Sequence, residues 1–295
     1  MFEYKYQVLK TIPETTYGSI CIKNVFFEPN EIEKSLPEIV FQDDNLMHMF
    51  AESFLNIEKR KNIYRRFSPK SKITTSVEDF VAASMKKNKS FYSFLAEGIL
   101  GLVFRDIYDY RLARGVVDIG DTLFDSHTGV DACMYNLQSN VIVLGEAKFY
   151  ESLSQGLNKI IDDFIKKDIK NKLESLQTKI ECCSDACQIV IKNLSLEDYD
   201  ELTIEEFMKQ KIIFAGFVLH SEIDVSEYAN KTFYDSYSIS TRELEKNICD
   251  SLNQKGIKGD YEIILVHLPI KDKKSLIVKI IETSKDKLKA CRGNI

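Results

Sequence analysis

The hydrophobic pattern of the chain switches repeatedly between strand-like runs and helical spacing. Stretches rich in β-branched and aromatic residues at Tyr4–Leu9, Ser19–Phe27, "KIIFAGFVLH" (211–220) and "YEIILVHLPI" (261–270) predict strands. Residues 90–104, "SFYSFLAEGILGLVF", are apolar nearly all round, which predicts a buried central helix whose lone charge is Glu97. "TGVDACMYNLQSNVIVLGEAKFY" (128–150) predicts two strands joined by a tight turn drawn from Gln138, Ser139 and Asn140. From Leu153 to about Ile180, Leu157, Ile160, Ile161, Phe164 and Ile165 recur at helical spacing, as in a helix crossing over a sheet. A more acidic helix near 195–210 and another around Thr241–Gln254 complete the series. The expected fold is α/β, a mixed sheet flanked by helices, with no internal repeat.

Residues 1–85 hold four of the five prolines and read as a small N-terminal region preceding a main domain at 86–295. Within it, "EKRKNIYRRFSPKSK" (58–72) sets Lys59, Arg60, Lys61, Arg65, Arg66, Lys70 and Lys72 around Tyr64 and Phe67. That mixture suits a contact with nucleic acid or a partner; a solvated helix end followed by a linker is the plainer account.

A hydrophobic content of 44% over 295 residues supports a packed interior. The formal net charge of −5 excludes a whole-surface grip on nucleic acid, because counterion release needs clustered Lys and Arg. Any such contact must be local, or supplied by a partner. The charged N-terminus and the lack of an apolar run near the ~20 residues of a membrane span lead us to expect a soluble, cytoplasmic protein with no membrane contact. The seven cysteines read as reduced thiols in the core, and Cys182, Cys183 and Cys187 lack a nearby fourth ligand for a structural zinc site. Phosphate-cradling glycine loops are missing, and none of His48, His127, His220 and His267 sits in a nucleophile-elbow or metal-pair context.

The chemistry instead gathers at "VIVLGEAKFY" (141–150). A strand has period two, so Glu146 and Lys148 share one face with Leu144, while Gly145, Ala147 and Phe149 face the other way. If the loop is Ser139-Asn140, Asp131 lies across from Lys148; if it is Gln138-Ser139, Asp131 lies opposite Glu146. A slip of one residue would send Asp131 to the other face. Two carboxylates beside one amine leave negative charge that a hard divalent cation can satisfy, and Mg²⁺ typically takes one or two carboxylates plus substrate phosphate. Glu97 is placed to add a ligand or an outer contact. Lys148 would orient or help deprotonate an attacking water and stabilise developing charge. Asp118, Asp121 and Asp125 do not fit a calcium-loop spacing and read as turn acids, with an extra metal contact as the alternative.

The order Glu97, "GVD" ending in Asp131, and "GEAK" with Glu146 and Lys148 resembles the PD-(D/E)xK nuclease superfamily. The resemblance implies a restriction-endonuclease-like core of helix, three-strand meander, crossover helix and further strands. It carries the metal-binding acids onto Asp131 and Glu146, the catalytic lysine onto Lys148, the helix acid onto Glu97 and an occasional glutamine onto Gln155. The family proline is replaced by Val130. More narrowly, "TGVDACMYN" with "LGEAKFYESLSQGL" is similar to the HamA-type nuclease subunit of the Hachiman anti-phage system, over roughly residues 85–290. That likeness implies a Mg²⁺-dependent (or Mn²⁺-dependent) DNA endonuclease with little sequence preference, in a heteromeric complex with a helicase. The rival readings are a catalytically silent subunit that binds DNA and docks a helicase, and an RNA nuclease.

Overall fold

The computed structural model describes residues 8–17, 20–27, 32–68, 75–87, 92–113, 131–165, 169–199, 202–207, 211–221, 246, 250 and 262–293. These build a seven-stranded mixed sheet in the order β1-β2-β7-β6-β5-β4-β3. The strands are β1 (Val8–Tyr17), β2 (Ile20–Phe27), β3 (Arg111–Leu112), β4 (Ala132–Asn136), β5 (Val141–Phe149), β6 (Ile212–His220) and β7 (Glu262–Pro269). The helix α5 (Ser93–Tyr108) precedes β3, β4 and β5, which pair antiparallel in sequence. Helix α6 (Leu153–Ile165) then crosses to β6, parallel to β5, and β7 adds in parallel to β6. Helix, three-strand meander, crossover helix and further strands therefore stand in the expected order, compatible with a nuclease-like core.

The described residues of the 1–85 segment share this sheet and its core. Strand β2 pairs in parallel with β7, and helices α1 (Ile32–Val40), α3 (Ile57–Arg66) and α4 (Val77–Lys87) pack on the last helix, α10 (Lys273–Gly293). Helix α2 (Asp43–Met49) packs on α5.

The period-two rule sorts β5 onto two cores. Val141, Val143, Ala147 and Phe149 pack with α5 and the flanking helices α1–α4 and α10. Ile142 and Leu144 are also fully buried, on the face that α6 covers. Helices α7 (Ile169–Glu181), α8 (Ser184–Leu194) and α9 (Ile204–Phe207) follow α6. Helix α5 is buried nearly all round, as its unbroken apolar run requires.

Several expectations shift. The described part of the first strand is Val8–Tyr17, which overlaps the expected Tyr4–Leu9 at its end and runs beyond it; residues 4–7 lie outside the described residues, and Pro13 sits where the β1–β2 register jumps between Ile12 and Thr15. A bulge tolerates the missing N–H donor. The crossover segment is helical at Leu153–Ile165 and Ile169–Glu181, with 166–168 outside the described residues, and among the described residues of the acidic segment the α-helix is Ile204–Phe207. Helix α10 went unanticipated, although Leu276, Ile277, Ile280 and Ile281 are buried along it at helical spacing. The helix expected around 241–254 falls mostly outside the described residues, as do Asp118, Asp121 and Asp125.

Candidate active site

The hairpin register decides which side chains can meet. The ladder runs from Asn136 opposite Val141 to Ala132 opposite Gly145, so its next step puts Asp131 opposite Glu146. This is the second of the two registers allowed by sequence. The turn explains it: Asn136 Oδ1 accepts the backbone N–H of Gln138 and of Ser139, both at 2.9 Å, and Asn140 takes a left-handed φ of 52°. An Asx turn of this kind closes the chain through residues 137–140 and leaves Asn136 as the last paired residue.

On this face three carboxylates converge on one ammonium. Lys148 Nζ lies 2.9 Å from Asp163 Oδ2, 3.1 Å from Glu146 Oε2 and 3.5 Å from Asp131 Oδ2. Asp131 is itself fixed to β5, because its Oδ2 accepts the backbone N–H of Ala147 at 2.8 Å. Glu146 and Asp163 are almost wholly buried, at 1% and 3% exposure. Carboxylates so removed from water are costly unless paired, and Lys148 is the cation between them.

Asp163 escaped the sequence reading, and its placement depends on two glycines. A Cβ on Gly156 would stand 2.7 Å from Val218 Cγ1, and a Cβ on Gly216 would stand 2.6 Å from Leu265 and 3.4 Å from Ile160. With hydrogens there instead, α6 lies close to β6, the neighbour of β5. Asp163 follows Ile160 by three residues, hence on the same helix stripe, and reaches Lys148. The available signal was an acid at a position of α6 where the spacing calls for an apolar side chain. Lys159, one turn earlier, approaches Asp163 Oδ1 at 3.3 Å but is 44% exposed and weighs little.

Burial on its own lowers the pKa of the Lys148 amine. The charges of Asp131 and Asp163, the hydrogen bond to Asp163 and the charge of Glu97 outweigh it and hold the pKa above the ordinary lysine value. Lys148 is therefore a cation at neutral pH in this arrangement, suited to neutralising an anion and orienting a water.

Glu97 is half-buried on α5 and acts on Lys148 through its charge. It stands one helical turn before Leu100, which packs where a Gly145 Cβ would come within 2.9 Å of its Cδ2. Gln155 is exposed in the first turn of α6, with its backbone N–H directed at Ser152 Oγ (3.4 Å). Among the described residues no three of His, Cys, Asp and Glu form a group that could hold a metal ion. Asp131 and Glu146, the two hairpin acids beside Lys148 Nζ, are a donor pair of the kind that fits Mg²⁺, which keeps several waters and uses one or two carboxylates.

A second lysine braces the same strand. Lys273 Nζ donates to the Phe149 carbonyl at 2.6 Å and lies 4.4 Å from the Phe149 ring centroid. Burial lowers its pKa to about 8. It ties α10 to the residue after Lys148 across 124 positions of sequence, a separation no local pattern reveals.

The basic stretch divides differently from its sequence reading. Tyr64 and Phe67 are core residues, 4% and 0% exposed, and so cannot stack on bases. Lys59, Arg60 and Lys61 pair with Glu52, Asp43 and Glu58. Arg65 and Arg66 are exposed, while Lys70 and Lys72 lie outside the described residues.

Residues 125–283 match the HamA family, and no curated protein and no solved structure matches the chain. The matched segment covers more than half of the sequence and includes Asp131, Glu146, Lys148 and Asp163. The chain belongs to the HamA family, a component of the Hachiman defence system.

Proposed function

We propose that this HamA-family chain is the nuclease effector of its defence complex, a Mg²⁺-dependent enzyme that hydrolyses DNA phosphodiester bonds with little sequence preference. The observation that carries the reading is the meeting of Asp131, Glu146 and Lys148 on one sheet face, with the ammonium 3.1 Å from one carboxylate and 3.5 Å from the other. Asp131 and Glu146 would hold Mg²⁺, or Mn²⁺ in its place, which when bound polarises a phosphoryl oxygen and lowers the pKa of a coordinated water. Glu97 adds negative charge behind the pair, and Gln155, exposed at the start of α6, is available to the substrate.

Lys148 supplies the positive charge. Held beside both hairpin acids, its ammonium can donate to a phosphate oxygen and orient the attacking water. The buried strand beneath it limits reorganisation, because the residues from Val141 to Ala147 are all buried. A helicase partner would contribute the DNA affinity that a chain of net charge −5 lacks, and we place its contact on the N-terminal 1–85 segment around Arg65 and Arg66.

The test is incubation of the purified chain, alone and with its helicase partner, with plasmid and linear DNA and Mg²⁺ or Mn²⁺, beside Lys148→Ala. The reading requires DNA loss in the parent and its absence in the variant. Equal loss in both would remove this site as its source, and loss of RNA in preference to DNA would reassign the substrate.

A further inference from the structure

Asp163 makes the shortest ion pair to Lys148, yet it lies on α6 and not on the hairpin that carries the other members of the cluster. Lys148 thus has two calls on its charge: the hairpin acids Asp131 and Glu146 on one side, and Asp163 on the other. An ammonium beside Asp131 and Glu146 competes with any divalent cation for the same oxygens. A carboxylate that retains the ammonium when a cation approaches removes that competition and leaves Lys148 in place as a charge beside the ion.

Resting on the nuclease reading above, we propose that Asp163 is the positioning residue of the site: it holds Lys148 beside the Asp131–Glu146 pair and receives its charge when a divalent cation binds there. The arrangement is built for the purpose by geometry. Gly156 and Gly216 admit α6 close to the sheet, Asp163 is 3% exposed, and its Oδ2 lies 2.9 Å from Lys148 Nζ.

Mn²⁺ binding to the full chain, followed by electron paramagnetic resonance of the free ion, reads this directly and needs no catalysis. Asp163→Asn keeps the shape and should weaken Mn²⁺ binding about 10- to 100-fold, while Asp163→Glu should restore most of it. In a Lys148→Met background the same Asp163→Asn change should cost only roughly twofold, since the group it acts through is gone. Thermal melting of each variant identifies any that fail to fold, in which case Asp163→Ser in place of Asp163→Asn, and Lys148→Gln in place of Lys148→Met, carry the same comparison. Equal losses with and without Lys148, or an unchanged affinity in Asp163→Asn, would overturn the assignment while leaving the nuclease reading intact. Failure of the parent chain to bind Mn²⁺, or binding indifferent to Glu146→Gln, would overturn both.

Discussion

The carboxylate of Asp131 accepts the backbone N–H of Ala147 at 2.8 Å, so an acid at the edge of β4 is fastened to the strand that carries Glu146 and Lys148. One hydrogen bond thus sets both the hairpin's register at its open end and the separation of the two candidate ligands. Asp131→Ala should therefore lose DNA hydrolysis and also about 1–2 kcal/mol of stability, because a partly buried N–H is left without its acceptor. Asp131→Asn should recover most of the stability and none of the activity. Urea denaturation beside the DNA assay separates the two.

Removing the central cation should be the most damaging change at the site. Lys148→Met leaves Glu146 and Asp163 buried beside one another and should destabilise the fold by about 3–5 kcal/mol near neutral pH. Urea denaturation of parent and variant at pH 7.5 will measure the deficit, and a loss below about 1 kcal/mol would show that Lys148 does not neutralise the two acids.

Three histidines removed from solvent must stay neutral: half-buried His48 on α2, and fully buried His220 on β6 and His267 on β7. Burial lowers His48 to about 4 and His220 to about 3, and His267 is lowered as well, by burial and by the proximity of His220. Folded pKa values below the unfolded one mean stability present above about pH 6.5 and lost as pH falls. Between pH 6.5 and pH 4.5 the unfolding free energy should drop by about 1.4 kcal/mol per pH unit for each neutral histidine. His220→Gln should make that slope shallower, and an unchanged slope would exclude His220 as a contributor.

Close approach of α5 to β5 is a steric matter. A Cβ at Gly145 would lie 2.9 Å from Leu100 Cδ2 and 3.1 Å from the Ala132 Cβ. Gly145→Ala should displace α5, move Glu97 away from Lys148, and cost about 1–3 kcal/mol. A thermal melt together with the Mn²⁺ titration will show whether stability and ion affinity fall together.

Arg65 and Arg66 offer the exposed charge of the basic stretch. Replacing both with Glu should leave the melting temperature nearly unchanged, since exposed charges contribute little to stability. Binding to DNA or to the helicase partner should weaken and become less sensitive to salt. Unaltered binding of both would move the contact elsewhere.

Much of this molecule was legible from local pattern. Unbroken apolar character placed α5 in the interior, and period two put Glu146 and Lys148 on one face whatever the fold around them. The hairpin could be narrowed to two registers, both of which keep Asp131 with them, because each preserves strand parity. Choosing between the two required the Asn136 side chain to close the turn, a contact that propensity does not specify. Asp163 and Lys273 were beyond reach for a stronger reason. Each meets β5 only because a separate helix packs against the sheet, at an approach set by Gly156 and Gly216 in one case and across 124 residues in the other. Tyr64 and Phe67 show the converse: an aromatic pair among basic residues looks like a nucleic-acid surface until packing commits both rings to the core. Sequence determined which groups point the same way along a strand, since that follows from backbone geometry within one element. Tertiary structure alone decided which charges neutralise one another, because that depends on how closely distant elements can approach.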